Sequence, residues 1–233
     1  MPSFLDDISG FTGDGSVNED GLTLAEYLET YNPSDYRSPS LTADVMILRH
    51  KGAVTSVNMG LSLLMVKRRN HPCIGYWALP GGFAEINEDI DETAKRELSE
   101  ETGLEGIPIE QIHVWGETWR DPRDRVVTTQ YIALVDGTKE AVAGDDAAEV
   151  CWYDVSLSCE SEEADNNINN TIYKLELTDP DSGLVLDGRV LKTEYTDRLL
   201  KETGFKVIEN NGIAFDHARF IVKGLLYIAS LIR

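Results

Sequence analysis

The chain has few basic residues, few cysteines and no long apolar run. Lysine and arginine number 21 against 41 aspartate and glutamate residues, so the net charge at pH 7 is −20 over 233 residues. Nucleic acids and anionic membranes both attract basic surfaces, and a chain this acidic is expected to bind neither. The three cysteines, Cys73, Cys151 and Cys159, are odd in number and show no metal-ligand spacing, so we expect reduced thiols.

The two ends of the chain show no targeting signal. Residues 1–7 lack both the basic start and the apolar core of a signal peptide. The most apolar stretch near the C-terminus, residues 224–232, is nine residues long and too short to cross a bilayer. Hydrophobic residues make up 42% of the sequence, which is normal for a globular core. These features lead us to expect a soluble, cytoplasmic protein.

The periodicity of apolar residues predicts an α/β fold. Residues 1–40 are expected to form a mobile tail and a short helix that Thr23 caps. A domain of residues 41–155 and 213–233 would follow, with one helix after its second strand and another over 215–233. Its strand candidates are rich in β-branched and aromatic residues, and they cover 41–48, 61–67, 112–119, 126–135 and 150–155. This order predicts an α/β/α sandwich around a mixed sheet.

The segment 156–212 has a different character. Its charged start, 160–167, is interpreted as a linker. Two strand-like runs, 171–177 and 184–193, then surround turn-forming residues, and a small helix is expected near 195–203. We predict a peripheral, β-hairpin-like insertion that could be removed without unfolding the domain.

Residues 85–101 form the most acidic stretch of the chain, since eight of the seventeen are aspartate or glutamate. Ile90, Ala94 and Leu98 fall four apart, which predicts an amphipathic helix with one buried stripe. Glu97 and Glu101 would stand one turn apart, where like charges destabilise an isolated helix by roughly 0.2–0.5 kcal/mol per pair. The stretch is either a solvated face or a carboxylate cluster for a hard cation such as Mg²⁺ or Mn²⁺.

The pattern from Gly82 to Leu104 decides between these two interpretations. It reads as Gly, five residues, Glu, seven residues, and then Arg-Glu-Leu-Ser-Glu-Glu-Thr-Gly-Leu. This string resembles the signature box of the Nudix hydrolases at every specified position. The flanking segments resemble the ADP-ribose pyrophosphatase branch of that family, and they are residues 62–83, 119–127, 144–149 and 215–218. The resemblance covers roughly residues 35–155 and 213–233, and it leaves out 156–212.

The resemblance implies roles for individual residues of the box. Arg96 would orient Glu97 through a salt bridge, and Glu88 would steady the junction of loop and helix or assist an outer metal ion. Divalent ions, Mg²⁺ or Mn²⁺, would be held by the Gly81 carbonyl, Glu97, Glu100 and Glu101.

The sequence does not identify the general base. Glu97 is one candidate, and Glu149, Asp145 or Asp146 on a distal loop would be the others. An Asp-rich turn explains Asp145 and Asp146 equally well.

Four residues outside the box are expected to contact substrate. Arg120 and Arg123 would meet phosphates or the terminal ribose, because a guanidinium group binds phosphate oxygens in pairs; the alternative is a salt bridge to Asp121 or Asp124. Arg68 would join them. Trp77, like Trp119 and Tyr131, could stack an adenine, although most aromatic residues in strands are core. His71 and His217 are expected to be structural.

Two function classes follow from the resemblance. The first is a metal-dependent pyrophosphohydrolase that most simply cleaves ADP-ribose to AMP and ribose 5-phosphate. Its substrate could also be another nucleotide sugar or a dinucleotide. The second is a module that senses ADP-ribose, as in related transcription regulators that carry a winged helix. The complete acidic box favours the enzyme, and since the chain ends at Arg233 within the last predicted helix, no DNA-binding domain is expected. The expected partners are a nucleotide-derived substrate and a second copy of the chain, as a homodimer.

Overall fold

The computed structural model describes residues 4–138, 140–144, 147–198 and 202–232. The chain divides into two compact units, residues 1–38 and 39–233. In the first unit, helix α1 (Leu24–Thr30) lies between the 3-10 turns Ser9–Phe11 and Pro33–Asp35. The predicted cap of α1 is confirmed, because the Thr23 side chain accepts the Glu26 N–H while the Glu26 carboxylate accepts the Thr23 N–H at 2.8 Å.

The second unit is built on one large mixed sheet. Its two helices are α2 (Ile90–Thr102) and α3 (His217–Leu231). The strands seen in the described residues are β1 (Ser40–His50), β2 (Leu61–Arg68), β3 (Trp77–Ala78), β4 (Gly81–Phe83), β5 (Glu110–Trp115), β6 (Val126–Asp136), β7 (Ala147–Asp165), β8 (Ile168–Thr178), β9 (Val185–Tyr195) and β10 (Glu202–Asn211). The main path runs β10-β9-β8-β7-β2-β1-β6-β5, with β3 beside β2 and β4 beside β1. Strands β1 and β6 are parallel, and the other pairs are antiparallel.

The central strand β1 is buried on both faces, and its alternating side chains contact different helices. Val45 and Ile47 pack in one apolar cluster with Leu98 of α2. Met46 and Leu48 pack in another cluster with α3, around Ile221. Because successive side chains of a strand point to opposite faces, α2 and α3 cover opposite sides of the sheet. This arrangement confirms the predicted α/β/α sandwich.

The segment 156–212 is integral to the sheet, contrary to the peripheral element expected from its composition. Strands β8 and β9 confirm the two strand-like runs, but the interpretation of 160–167 as a linker is wrong, since β7 extends to Asp165. The expected helix near 195–203 is also not seen in the described part of that stretch, where β9 ends at Tyr195 and β10 begins at Glu202; residues 199–201 lie outside the described residues.

The same segment contributes apolar side chains to the core. Five of them are no more than 8% exposed and pack in one cluster with α3: Leu175, Leu177, Leu186, Val190 and Phe205. Polar residues dominate the opposite face of these strands, where Arg189 bridges Glu160 and Glu209. A strand with one solvated face needs polar residues there, which is why composition alone suggested a linker. Among the described residues, no helix combines the length and apolarity that a membrane crossing requires.

Candidate active site

A cavity of about 400 Å³ opens beside the N-terminal end of β1, the loop from β3 to β4, helix α2 and the start of α3. Its lining is highly charged but balanced. Six basic side chains border it, namely Lys67, Arg68, Arg69, Arg96, Arg120 and Arg123. Six carboxylates face them: Asp44, Glu85, Glu97, Glu101, Asp121 and Asp216. In a chain of net charge −20, a lining with equal numbers of basic and acidic side chains is less negative than the chain average, which favours an anionic ligand.

Two glycines allow the box to assemble. Gly81 has φ +156°, and a Cβ atom there would lie 2.2 Å from the Ala43 carbonyl oxygen of β1. A Cβ atom on Gly82 would lie 2.4 Å from the Glu97 carboxylate. Only glycine, which has no Cβ atom, lets the backbone lie this close to the Ala43 carbonyl and to the Glu97 carboxylate. Helix α2 can therefore hold Glu97 directly against the backbone of β4. At the end of α2, Gly103 takes the left-handed conformation that is common for a glycine terminating a helix.

Arg96 connects the carboxylates of the box. Its guanidinium donates to both oxygens of Glu88 at 2.9 and 3.0 Å, to Glu97 at 2.7 Å and to Glu100 at 3.1 Å. The Arg96 hydrogen bond lowers the pKa of Glu88 to about 2, so Glu88 is a permanent anion at the start of the helix. The structure thus brings together the Arg96–Glu97 pair and the Glu88 junction that the resemblance implied.

Glu101 lies deepest of the three box glutamates. One carboxylate oxygen accepts the Gly81 N–H at 2.9 Å. Burial raises the pKa of Glu101 to about 8 despite this hydrogen bond, and the nearby carboxylates of Glu97 and Asp44 add to the rise. Burial also raises the pKa of Glu97. Ionising Glu97 and Glu101 together would therefore place more buried negative charge in the site than its hydrogen bonds compensate.

A divalent cation would relieve that excess. Carboxylate and carbonyl oxygens are the ligands that Mg²⁺ and Mn²⁺ prefer, and Glu97, Glu101 and the Gly81 carbonyl supply them. The residues present therefore fit such an ion by their chemistry. Glu100 points to Arg96 with its side chain 60% exposed. Within the described ranges, no group of three acidic, histidine or cysteine side chains is close enough to enclose a metal ion in this conformation.

Asp44 is a cavity residue that the sequence analysis missed. It lies on β1, is 8% exposed, and burial raises its pKa to about 7. His217 Nε2 is 3.8 Å from its carboxylate, while His217 Nδ1 accepts the Leu79 N–H at 3.0 Å. Burial lowers the pKa of His217 to about 4, so the ring is neutral and holds backbone in place, which agrees with the structural role expected for it. The available signal for Asp44 was a single charge within the apolar run 43–48.

The three predicted substrate arginines line the cavity but differ in what they can offer. Arg120 is buried, donates to both oxygens of Asp216 at 2.8 and 3.2 Å, and also donates to the Trp115 carbonyl and to Thr128. Its guanidinium therefore anchors the fold in this conformation while it also lines the cavity, and its role as a phosphate ligand stays a prediction. Asp216, its partner, lies in the segment 215–218 that resembles the family branch, but the resemblance gave it no role.

Arg123 and Arg68 remain available to a ligand. Arg123 pairs with both oxygens of Asp121 at 3.0 and 2.7 Å, the alternative foreseen for it, and its side chain stays 42% exposed. Arg68 donates through Nε to the Pro72 carbonyl at 2.7 Å and lies with Cζ 4.9 Å from the Phe215 ring centroid.

The aromatic residues proposed to stack a base lie elsewhere. Trp77 is 5% exposed and packs edge-on against Tyr153 at 5.2 Å, so its assignment to substrate binding is wrong. Its short strand β3 pairs with β2 and turns the ring into the core that α3 covers. Tyr131 is 1% exposed and donates its hydroxyl to Asp91. Trp119 is exposed but lies against Arg219 and not among the residues that line the cavity.

Of the distal base candidates, only Glu149 lies among the described residues. Glu149 is exposed and pairs with Lys67 at 3.0 Å, and it does not line the cavity. Asp145 and Asp146 lie outside the described residues.

The raised pKa values of two buried carboxyl groups predict how stability depends on pH. Glu101 and Asp44 have higher pKa values in the folded chain, about 8 and about 7, than the ordinary 4.5 and 3.8. The folded protein therefore binds more protons than the unfolded chain, and stability falls as pH rises toward the folded pKa. His217 and His113, whose pKa values are lowered to about 4 from 6.5, act in the opposite sense below pH 6.5.

We accordingly expect the free energy of unfolding of the metal-free protein to decrease from pH 6.5 to pH 8. Urea titrations in a chelating buffer at several pH values would measure the decrease. Glu101→Gln should reduce the slope, because the amide does not titrate. A slope unchanged in that variant would assign the effect to other groups.

Comparisons with known proteins place this site in a known family of sequences. The family model described as NUDIX domain matches residues 40–174. The ADPR responsive transcriptional repressor NtrR of Acinetobacter baylyi is 40% identical over 112 residues, which are 47% of this chain and 42% of that protein. The ADP-ribose pyrophosphatase of Methanocaldococcus jannaschii is 42% identical over 94 residues, 40% of this chain and 55% of that protein. The chain thus spans about half the length of these curated relatives.

Solved structures give a consistent result. A MutT/nudix family protein from Enterococcus faecalis superposes with a TM-score of 0.62 at 29% identity, covering 90% of this chain and 70% of that one. The NUDIX domain of Shewanella oneidensis NrtR, in a cocrystal with ADP ribose, superposes with a TM-score of 0.50 at 33% identity and covers 56% of this chain and 82% of that one.

Proposed function

The chain belongs to the NUDIX domain family, and on that premise we propose that it is a metal-dependent pyrophosphohydrolase that cleaves ADP-ribose to AMP and ribose 5-phosphate. One observation carries the proposal. In a chain of net charge −20, six basic side chains gather around the cavity that also contains the box glutamates Glu97 and Glu101. Such a cavity matches a substrate with a central diphosphate and neutral ends.

The choice of ADP-ribose is supported by what the relatives are named for. An ADP-ribose pyrophosphatase, an ADPR responsive repressor and a NUDIX domain complexed with ADP ribose all resemble this chain at 33–42% identity. They are similar over about half of the present chain, so the substrate of the whole protein is part of the proposal.

The chemistry asks for positioning and charge neutralisation more than for covalent catalysis. Water attacks one phosphorus of the diphosphate in line with the bridging oxygen, the bridging P–O bond breaks, and a base takes the proton of the water. A bound divalent ion supplies neutralisation of the developing charge and lowers the pKa of water. Glu97, Glu101 and the Gly81 carbonyl would hold that ion, and Arg96 keeps Glu97 in place.

The remaining roles follow from the lining of the cavity. Arg68 and Arg123 would bind phosphate oxygens, because both border the cavity and Arg123 is partly exposed. Of the base candidates in the described residues, Glu97 lines the cavity and Glu149 does not. We therefore favour Glu97 as the base.

A sensor of ADP-ribose is the second candidate. It is favoured by the resemblance to a repressor at 40% identity. Binding of ADP-ribose without turnover, in the presence of Mg²⁺ or Mn²⁺, would support it.

A hydrolysis screen separates these possibilities. Purified protein would be incubated with Mg²⁺ or Mn²⁺ and ADP-ribose, NADH, dinucleoside polyphosphates, nucleotide sugars and nucleoside triphosphates, and the products identified. We expect ADP-ribose to be cleaved with a higher kcat/KM than any nucleoside triphosphate. Better hydrolysis of triphosphates would leave the family intact and reject ADP-ribose as the preferred substrate.

In the same assay, Arg123→Ala should raise KM for ADP-ribose with a smaller effect on kcat. The side chain contributes to binding of the ground state as much as of the transition state, so its loss affects KM first. Arg189→Ala is the matched control, because Arg189 is an ion-paired arginine on β9 that does not line the cavity. A loss of kcat at unchanged KM would instead place Arg123 at the reacting phosphorus.

A further inference from the structure

One wall of the cavity alternates aromatic rings with guanidinium groups. Arg123 Cζ lies 5.0 Å from the ring centroid of Phe83 and 5.8 Å from that of Phe215. Arg68 Cζ lies 4.9 Å from the Phe215 centroid on the same wall. All four residues line the cavity. We call this group, in the order Phe83, Arg123, Phe215 and Arg68, the stacked wall.

The backbone of Phe215 is held in an unfavourable conformation to build this wall. Its φ is +49°, a left-handed value that is an outlier for a bulky residue. The next residue, Asp216, is fixed by hydrogen bonds from Arg120 and Arg219, both buried. The surrounding structure therefore maintains the strain, and the ring lies at the cavity between two guanidinium groups.

Phe83 forms the open end of the wall. It ends β4, one residue beyond Gly82, and its carbonyl accepts a hydrogen bond from Arg96 Nη2 at 3.1 Å. Its position is thus tied to the residue that also orients Glu97. Phe83 is nevertheless 42% exposed while Arg123 covers part of its ring. An aromatic surface is left accessible beside the proposed metal and phosphate ligands.

We infer that Phe83 is the platform on which the nucleobase of the substrate stacks, with Arg123 supporting the ring from the other side. The inference rests on the proposed function for the nucleotide nature of the ligand. A base is the planar part of a nucleoside diphosphate sugar, whereas the sugars carry hydroxyl groups and the diphosphate carries charge. Stacking of a base on an aromatic side chain contributes about 1–3 kcal/mol and needs only an accessible π face. The cavity offers few alternatives, because the phenylalanine, tyrosine and tryptophan rings that line it within the described residues are Phe83 and Phe215.

Arg123 is suited to that supporting role. Asp121 takes hydrogen bonds from Nε and Nη2 in the plane of the guanidinium, which fixes the plane and neutralises part of its charge. A guanidinium held in this way stacks on aromatic faces as well as binding phosphate. Arg123 would therefore support Phe83 on the face away from the base and still be able to bind the adjacent phosphate.

The test compares the two halves of the substrate. Isothermal titration calorimetry would measure binding of AMP and of ribose 5-phosphate, under identical conditions, to the wild-type chain and to Phe83→Leu. Leucine keeps an apolar side chain and removes the π face. We expect the affinity for AMP to fall about tenfold and that for ribose 5-phosphate to stay unchanged, while Phe83→Tyr retains AMP binding. Ile86→Ala is the control, since Ile86 is an exposed apolar residue of the same loop that does not line the cavity.

Hydrolysis provides a second readout. If ADP-ribose is the substrate, Phe83→Leu should raise KM by about the same factor as it weakens AMP binding and leave kcat nearly unchanged. Equal losses of AMP and ribose 5-phosphate affinity would overturn the inference, and so would unchanged AMP binding or a wild-type chain that binds no AMP. A selective loss of AMP binding in a chain that does not hydrolyse ADP-ribose would support the inference and reject the proposed activity.

Discussion

Replacing Glu101 with glutamine should lower the rate of hydrolysis at limiting Mg²⁺ by at least about 100-fold and leave the protein folded. Substitution of residues that merely support a metal ligand commonly costs about 10–100-fold, and a direct ligand should cost no less. The amide has the shape of the carboxyl and can still accept the Gly81 N–H, but it lacks the negative charge that would hold a cation. Because burial already favours the neutral form of Glu101, the substitution should not weaken the metal-free fold.

Initial rates across a range of Mg²⁺ concentrations would measure this effect. Glu105→Gln is the matched control, since Glu105 is an exposed glutamate just beyond α2 that does not line the cavity. Saturating Mg²⁺ should partly restore Glu101→Gln if the defect lies in metal affinity. A variant with the wild-type rate at limiting Mg²⁺ would exclude Glu101 as a ligand.

The parts of the site that were predicted from the sequence are local in the chain. The helix over Ile90–Thr102 follows from the spacing of Ile90, Ala94 and Leu98, and its end follows from Gly103. The Arg96–Glu97 and Glu88 contacts were implied by the resemblance, and all three residues lie within ten positions of the chain. The predicted part of the box therefore depended on residues that are close in sequence.

The residues that were missed come from distant parts of the chain. Asp44 is a single charge in an apolar run, and Phe215 and Asp216 belong to a segment, 215–218, whose resemblance to the family branch assigned no role to either residue. The sheet and the start of α3 bring them to the cavity, so their importance appears only with the tertiary structure. Trp77 shows the converse error, because the direction of its ring depends on the pairing of β3 with β2.

The expectation for segment 156–212 failed for an energetic reason. Charged residues on β7 and β9 pair across the solvated face, as in the bridge from Arg189 to Glu160. The polar composition is therefore compatible with a regular antiparallel sheet, in which β7 pairs with β8 from Asp154 to Asp165. Apolar positions on the other face were sparse in the sequence, yet they are among the most deeply buried in the protein.

Deleting residues 158–210 with a short Gly/Ser join should consequently abolish cooperative unfolding. The deletion removes β8, β9, the last eight residues of β7 and all of β10 except Asn211, and with them the buried side chains Leu175, Leu177, Leu186, Val190 and Phe205. Each buried side chain of this size contributes about 1.5–3 kcal/mol, and their sum matches the total stability of about 5–15 kcal/mol that proteins typically have. Helix α3 would lose its cover, and the buried Arg219 would lose the Phe205 carbonyl that accepts its N–H at 3.2 Å.

A milder truncation of the same segment is the appropriate control. Replacing residues 164–169 with Asn-Gly would shorten the β7–β8 hairpin between the paired residues Glu163 and Asn170 and preserve their register. The residues removed are mostly exposed and lie outside the apolar clusters. Urea unfolding followed by tryptophan fluorescence should then show a cooperative transition with a similar slope for the shortened hairpin and none for the long deletion. A cooperative transition in the long deletion would show that residues 39–157 and 211–233 form a core by themselves, and the segment would return to the peripheral role that its composition suggested.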